Sequence, residues 1–427
     1  MELTPGFIIA ATHSHAGKTT LTLAVMAALR EAGRRVVPFK AGPDFIDPMW
    51  HAAFCGLPSW NLDTCMVGEE ECRALVATRA PQGSVVVVEG VMGLYDGKGG
   101  IGATGSTADL ARVLGLPVIL VVDARGMAGS IAPLVAGFAG FARGFTLAGV
   151  LANRVGSPRH AEMLAGALQE AGLPPLLGWL GNTPSIGLGE RHLGLLLPED
   201  QAPPAASDLC RALTLDRDGL LFLARPVIPT PACGSSPRLL TGRTIAVARD
   251  LAHCFLYPAN LAWLEEMGAR IVFFSPLAGD PLPACDAAWL PGGYPELHAA
   301  QLSASPTWRD VRRAVAQDLP ILAECGGMMA LGSSLTLLDG VSWPMADILP
   351  IHTRMTPRLA GLGYRRDRSG VRGHEFHHSV RDPSPLPPAF QPESGDAGVR
   401  MHNLRASYIH WYFPSQPATC AAWFGAS

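Results

Sequence analysis

Three groups of residues in this 427-residue chain have the types and spacing of reaction chemistry. The first is Gly17-Lys18-Thr19-Thr20, reached through a polar loop after the apolar run Phe7 to Ala11. In such a turn backbone N–H groups and a helix N-terminus face phosphates, Lys18 reaches the terminal phosphate and the Thr19 hydroxyl can bind Mg²⁺. Thr12 stands where the usual pattern has its first glycine. The second group is acidic. Asp44 and Asp47 lie in Lys40-Ala-Gly-Pro-Asp44-Phe45-Ile46-Asp47-Pro48, Glu89 ends the valine run Ser84 to Val88, and Asp96 follows in Gly93-Leu-Tyr-Asp96-Gly97. An acid at the tip of a buried strand downstream of a phosphate loop is where a metal-positioning carboxylate is expected. Asp44 and Asp47 are placed to meet a nucleotide, its metal or a substrate, and equally to cap turns.

The third group centres on Cys325, in Glu324-Cys325-Gly326-Gly327 after the apolar Leu319 to Ala323. A nucleophile on a sharp strand-to-helix turn is exposed at a helix N-terminus, which is expected to lower the thiol pKa. Gly326 N–H and the Pro291-Gly292-Gly293 turn, with Gly293 foremost, are the candidate oxyanion donors. The thiolate needs a base, and the same half of the chain carries His298, His352, His374, His377, His378, His402 and His410. Gly373 to Ser379 formally contains H-E-x-x-H, a zinc pattern that requires both histidines on one helical face. The glycine before it and the prolines around it argue against a helix. Ser407 to Phe413 reads instead as a strand with His410 near its end, a fit position for the base.

These residues need a scaffold that brings them to one edge. Leu21 to Leu29 repeats at helical spacing and is expected to stop at Gly33, and Arg35 to Phe39 then completes a strand-helix-strand unit. Further strands are predicted at Ser84 to Val88, Val118 to Val122 and Ala148 to Leu151, with a helix at Thr107 to Leu114. Strands alternating with helices imply an α/β fold with a doubly wound parallel sheet. Asn153, just past the last of those strands, either reads a base edge or caps a turn. Gly189-Glu190-Arg191-His192-Leu193-Gly194 reads as a polar loop. The Pro-, Gly- and Ser-rich stretch after residue 225 divides the chain into domains at 1–225 and 244–427, with 226–243 as linker. A second α/β domain follows, with strands at Thr244 to Ala248 and Arg270 to Phe274 and a helix at Asn260 to Gly268.

Composition narrows the partners. A net charge of −3 and a pI near 6.5, with no basic tail, argue against nucleic acid. Mean hydropathy is slightly positive, yet the most apolar stretch, Ile131 to Ala142, is too short to span a bilayer. MELTPGF lacks the basic segment of a secretory signal, so the expected location is the cytoplasm. Nine cysteines are scattered with no Cys-x-x-Cys pair, which speaks against a zinc site or a disulfide framework.

Together, GKTT, KAGPDFIDP, Asn61-Leu-Asp63, VVVEGVMGLYDG, NRV, ERHLGL, LPGGYPEL, AECGG, GHEFHHS and SYIH resemble the cobyrinic acid a,c-diamide synthase family of corrin biosynthesis over nearly the whole chain. The resemblance implies a P-loop synthetase domain similar to dethiobiotin synthetase, joined to a class I glutamine amidotransferase domain. It implies ATP and Mg²⁺ at Thr12, Gly17, Lys18, Thr19, Thr20 and Asn153, with Thr19, Asp44 and Glu89 toward the metal. Asp44, Phe45, Ile46, Asp47 and Asp96 would meet the substrate, Cys325 would be the glutaminase nucleophile and His410 its base. Its small-molecule partners would be glutamine, ATP and a corrin macrocycle, without nucleic acid or membrane; a homodimer is compatible with it. The chain departs from the family at Ala11 and His15, where glycines are usual, and histidine resists the backbone angles glycine accepts. Tyr412 stands where class I amidotransferases carry a glutamate.

Overall fold

The computed structural model describes residues 4–100, 104–181, 190–191, 194–195, 204–228 and 237–426. Residues 229–236 of the expected linker lie outside these, as do Gly189, His192 and Leu193 of the expected polar loop. The chain forms two compact units, Met1–Cys233 and Gly234–Ser427.

The first unit begins β1 (Pro5–Ala11), α1 (Lys18–Glu31), β2 (Val36–Ala41), α2 (Ile46–Cys55), β3 (Trp60–Leu62), α3 (Glu69–Arg79) and β4 (Val85–Glu89). It continues with α4 (Thr107–Leu114), β5 (Val118–Asp123), α5 (Ile131–Phe141), β6 (Leu147–Val155), α6 (Pro158–Glu170) and β7 (Leu176–Gly181). A two-residue pair follows, β8 (Glu190–Arg191) against β9 (Gly194–Leu195), then α7 (Ala206–Ala212), β10 (Leu213–Leu215), α8 (Arg217–Leu223) and β11 (Arg225–Pro226). The main sheet runs β10-β7-β6-β5-β1-β4-β2-β3, and β1 to β7 are parallel, while β10 and β11 pair antiparallel. β1 lies between β4 and β5, so the loop after β1 opens at the carboxyl edge where the strand order reverses and ligands bind. The valines of β4 are wholly buried, as an unbroken apolar run requires when helices cover both faces. α1 is buried from Leu21 to Leu29 and ends at Gly33, whose positive φ of 75° lets Gly33 N–H and Arg34 N–H close on Arg30 and Leu29. No described helix is long and apolar enough to cross a membrane.

The second unit contains β12 (Thr244–Ala248), α9 (Pro258–Glu266), β13 (Arg270–Phe274), β14 (Ala287–Leu290), α10 (Ala299–Ser303), α11 (Thr307–Ala316), β15 (Ile321–Glu324) and α12 (Gly326–Leu331). Short strands follow: β16 (Ser334–Thr336), β17 (Ser342–Pro344), β18 (His352–Met355), β19 (Gly361–Arg366), β20 (Arg372–His377), β21 (Ser379–Arg381), β22 (Val399–Met401), β23 (Leu404–Ser407) and β24 (His410–Tyr412), with α13 (Pro417–Trp423) last. The central sheet, β13-β12-β14-β15-β23-β22, is parallel except at β22. The segment expected as one strand from Ser407 to Phe413 is two. Ser407 ends β23 beside β15, and His410 begins β24, which pairs with β20 in another sheet. Side chains take over the backbone donors at the break: Asp396 accepts Tyr408 N–H at 2.9 Å and Ser407 Oγ accepts Ile409 N–H at 3.2 Å.

Glu324, at the tip of β15, accepts Trp411 N–H at 2.9 Å and the Trp289 indole N–H at 3.0 Å, in a core packed with Phe413, Phe390 and Trp423. Burial pushes its carboxyl up to about 8 from 4.5, against those two donors. The unfolded side chain ionises near 4.5 while the folded one keeps its proton, so stability falls as pH rises from 4.5 to about 8 and levels beyond it. The change is on the order of 5 kcal/mol. Urea unfolding between pH 5 and 8 is expected to show Glu324→Gln with a flatter pH profile than the unsubstituted chain; parallel profiles would mean that Glu324 is ionised in the fold.

Candidate active sites

In the first unit, Gly17 opens α1 in the left-handed region, with φ 89°. A Cβ there would lie 1.9 Å from Asn153 Nδ2, because the Asn153 amide donates to Ala16 O at 2.9 Å while its Oδ1 accepts Arg154 N–H at 2.9 Å. Asn153 therefore braces the loop through its amide N–H on Ala16, while its oxygen is engaged by the next residue's N–H. His15 takes the left-handed conformation itself, φ 66°, contrary to the expected resistance, and Arg154 Nη1 reaches both His15 O at 3.3 Å and Asp123 at 2.5 Å. Thr12 donates its N–H to Val121 O at 3.1 Å, so its backbone serves the sheet.

Around Lys18 the strand ends assemble a charged cluster. Lys40, buried in β2, has its ammonium 2.9 Å from Asp47, 3.6 Å from Glu89 and 3.7 Å from Asp44, and donates to Gly90 O at 2.7 Å. Lys18 lies 3.8 Å from Glu89, and His51 Nε2 meets the other Glu89 oxygen at 2.7 Å, with Ser59 on the far side of the ring at 2.9 Å. Burial opposes charge throughout, and the balance differs by residue. Burial and the Lys40 charge lower Lys18, whereas the charges of Asp47, Glu89 and Asp44 outweigh burial at Lys40 and raise it. Against burial, Lys40, His51 and Lys18 hold Glu89 well below the usual carboxylate range. Burial, with Asp44 and Glu89 nearby, raises Asp47.

Thr19 Oγ1 donates to Glu89 at 2.7 Å and lies 3.4 Å from Asp47. This all-oxygen set fits a hard cation that takes its remaining ligands from phosphates and water. Among the described residues no three His, Cys, Asp or Glu side chains are placed to hold an ion by themselves. Asp44 caps α2 through Ile46 N–H at 2.8 Å and Asp47 N–H at 3.2 Å, so its capping role is present beside the ionic one. Asp96 accepts Gly93 N–H at 2.8 Å in its own turn. Phe45 is buried, Ile46 packs on the hydrophobic core, and Thr20 is half-buried in the first turn of α1.

In the second unit, Cys325 joins β15 to α12 with φ 45° and ψ −108°, a strained geometry for a non-glycine residue, and its N–H is held on Ser407 O at 2.7 Å. Gly292 lies between Cys325 and His410, since a Cβ on it would lie 3.2 Å from Cys325 Cβ and 2.4 Å from His410 Cε1. The Cβ position of Gly326 is 3.0 Å from Gly293 N, which puts the two candidate oxyanion donors side by side. His410 stacks on His374, its cross-strand neighbour, with ring centres 5.1 Å apart, and His374 Nδ1 meets Tyr257 OH at 2.8 Å. Burial, then the neighbouring His374 and His377, pushes His410 well below its ordinary value and keeps it neutral. The thiol is not acidified as expected. Burial, then the charge of Glu296, raises Cys325 and overrides the helix end. The zinc pattern fails on geometry, because His374 lies in strand β20 and His378 just past its end, so no helix brings the two histidines onto one face.

Lys40, His51, Glu324 and His374 were not singled out by sequence for the roles they take. A lysine inside a buried strand, with acids four and seven residues on, was the signal for Lys40. For His51 and His374 the partners are distant in sequence, and spacing gives no sign of them.

Comparison with known proteins agrees with this division. Residues 7–193 match the CobQ/CobB/MinD/ParA nucleotide binding domain, and residues 244–418 match the CobB/CobQ-like glutamine amidotransferase domain. The chain is 42% identical to the cobyrinate a,c-diamide synthase of Syntrophotalea carbinolica, over 98% of this chain and 97% of the relative. It is also 42% identical to the hydrogenobyrinate a,c-diamide synthase of Stutzerimonas stutzeri, over 98% of each.

The brace on the phosphate loop is directly testable. Gly17→Ala is expected to abolish measurable ATP binding and to lower stability, the left-handed backbone alone costing about 1–2 kcal/mol. Adding Asn153→Ala removes the clash but neither the strain nor the lost brace, so calorimetric titration should recover at most part of the affinity. Full affinity in Gly17→Ala would show that the loop does not need this approach.

Proposed function

We infer the mechanism from a plain premise: the chain belongs to the cobyrinate a,c-diamide synthase family, and it is a ligase that amidates corrin carboxylates using ATP, with glutamine as nitrogen donor. The observation that carries the reading is the pairing, in one chain, of a braced phosphate loop ringed by acids with a strained cysteine beside a neutral histidine. A carboxylate is a poor electrophile, and ammonia is protonated in neutral water. Activation and ammonia release therefore need separate chemistry.

In the glutaminase unit, Cys325 gives its proton to His410 and attacks the glutamine side-chain amide. His410 returns the proton to the departing ammonia, and water then releases glutamate from the thioester. Gly293 and Gly326 N–H groups stabilise the tetrahedral oxyanion. A resting thiol that is neutral suits this order of events, since the thiolate is needed only when substrate covers the site.

In the synthetase unit, the backbone from Gly17 to Thr20 cradles the ATP phosphates and Lys18 neutralises the transferred group. The substrate carboxylate attacks the terminal phosphoryl group, and ammonia displaces phosphate from the acyl phosphate. Thr19 and Glu89, with Asp47 beside them and Asp44 held on Lys40, would offer Mg²⁺ its oxygen ligands or supports, and the ion would supply charge neutralisation on the phosphoryl oxygens. Lys40 fixes Asp44, Asp47 and Glu89 in one constellation, and Asp47 and Asp96 lie toward the reacting carboxylate. Two rounds give the a,c-diamide.

Incubation with cobyrinate or hydrogenobyrinate, MgATP and glutamine is expected to give two successive amidations by mass. Cys325→Ala should abolish them with glutamine and retain them with ammonia. Gly292→Ala, which drives a methyl group into His410, should follow Cys325→Ala, with at least about a hundredfold loss of glutamine-supported rate, the usual range for a misplaced general base. Loss of the ammonia-supported reaction in Cys325→Ala would contradict the division of labour.

A further inference from the structure

We propose that a cleft of about 550 Å³ in the second unit receives the α-amino and α-carboxylate groups of L-glutamine, with Arg381 reading the carboxylate and Asp396 the ammonium. This rests on the glutaminase reading of Cys325 and deepens it.

The cleft is lined by two ion pairs, Arg365 with Glu375 and Arg381 with Asp396, each closing at 2.7 Å. The two guanidinium–carboxylate pairs give the wall strong local dipoles, and Asp382, also on the lining, brings its formal net charge to −1. Paired opposite charges side by side match a zwitterion, whose ammonium and carboxylate each meet an opposite partner, whereas a phosphate would face the three carboxylates.

The two pairs are not equivalent. Arg365 places Nε and Nη2 on the same Glu375 oxygen, at 3.0 and 2.7 Å, and its remaining donors go to Tyr364 O and Leu362 O. It is packed against bare backbone: a Cβ on Gly395, at φ 93°, would come 2.1 Å from Arg365 Nε. Glu375 then accepts Asp396 N–H at 2.6 Å. This pair is a support that fixes the backbone of Asp396.

Arg381 and Asp396 face the cleft more openly, with side chains 18% and 14% exposed against 12% and 3% for the support pair. Beyond Asp396, the contacts of Arg381 are both long, 3.4 Å to Asp382 O and to Gly398 O. Its planar fork can therefore turn to a second carboxylate at little cost. Asp396 Oδ2 accepts only Tyr408 N–H, which leaves lone-pair capacity for an ammonium.

The cleft is wired to the nucleophile. Asp396 holds Tyr408 N–H, Tyr408 follows Ser407, and Ser407 O holds Cys325 N–H. Tyr408 stacks flat on His377, centroids 3.8 Å apart, and closes the wall beside the reading pair. Glu375 is also among the charges that reach the Cys325 thiol.

The test follows glutamine hydrolysis by the full-length protein on three substrates: L-glutamine, 4-aminobutanamide, which lacks the α-carboxylate, and 5-amino-5-oxopentanoate, which lacks the α-ammonium. Arg381→Gln is expected to raise the KM for glutamine by roughly ten- to hundredfold with kcat little changed, the range for losing a charged hydrogen bond. It should leave kcat/KM for 4-aminobutanamide within about twofold, because that substrate has no carboxylate to lose. Asp396→Asn should show the mirror pattern, losing on glutamine but not on 5-amino-5-oxopentanoate. Equal losses on glutamine and on the truncated amide, or an unmoved KM, would overturn the cleft assignment while Cys325-dependent hydrolysis stands. Absence of Cys325-dependent hydrolysis in the unsubstituted protein would instead remove the glutaminase reading and this proposal with it.

Discussion

Both reaction centres exist only where backbone comes closer to a neighbouring group than a methyl group would permit. At Gly17 the neighbour is the Asn153 amide, at Gly292 it is the His410 ring, and at Gly327 it is Leu290 O, 2.2 Å from where a Cβ would stand. Protein interiors do not absorb such overlaps, because they are packed at crystal density. The glycines are therefore what brings the Gly17 loop within reach of Asn153 and His410 within reach of Cys325. Every other contact in the two sites is arranged around these approaches.

Electrostatically the two units solve opposite problems. The synthetase unit keeps charge in a buried place, and it does so by number: three carboxylates surround Lys40, while Lys18 and the His51 ring also meet Glu89. An unpaired member would be strongly disfavoured, so the cluster stands or falls as a set. The glutaminase unit instead keeps its groups uncharged. Burial raises the Cys325 thiol and lowers His410, so the proton stays on sulfur until an electrophile arrives. His374, held by Tyr257 and stacked on His410, reinforces that neutrality, since a charged partner would oppose protonation of the base.

The sequence was most legible where local chemistry and tertiary placement agree. The valines of β4 ending at Glu89, and the apolar run and small residues around Cys325, each announce a buried strand that ends in a turn at the sheet edge. It was least legible where a residue's role depends on a partner far along the chain. Lys40 is a cation on a strand until Asp47 and Glu89 are folded against it. The contact of the Asn153 amide with Ala16 O joins residues far apart in sequence, and spacing gives no sign of it. His15 is a departure from pattern whose backbone angle nothing in its neighbours foretells, and its carbonyl is met by Arg154 from well over a hundred residues away. The thiol departs from the expected acidity for a related reason. A helix of six residues offers a weak dipole, and full burial, invisible in sequence, opposes it.

The break between β23 and β24 shows why the catalytic pair needs two sheets. Had Ser407 to Phe413 run on as one strand, the residues after Ser407 would have stayed in register beside β15, and His410 would have been carried along the sheet away from Cys325. Asp396 and the Ser407 hydroxyl instead satisfy Tyr408 and Ile409 N–H, which frees the chain to leave one sheet and enter the other. One short segment thus does two things: its first end clamps the strained Cys325 through Ser407 O, and its second carries His410 on a strand paired with β20. Cys325 can hold its unfavourable backbone angles because that clamp is itself part of a continuous parallel ladder, with Ala323 and Glu324 in register with Ala406 and Ser407. The strain at the nucleophile and the placement of its base are therefore consequences of a single local decision about where the hydrogen bonds go.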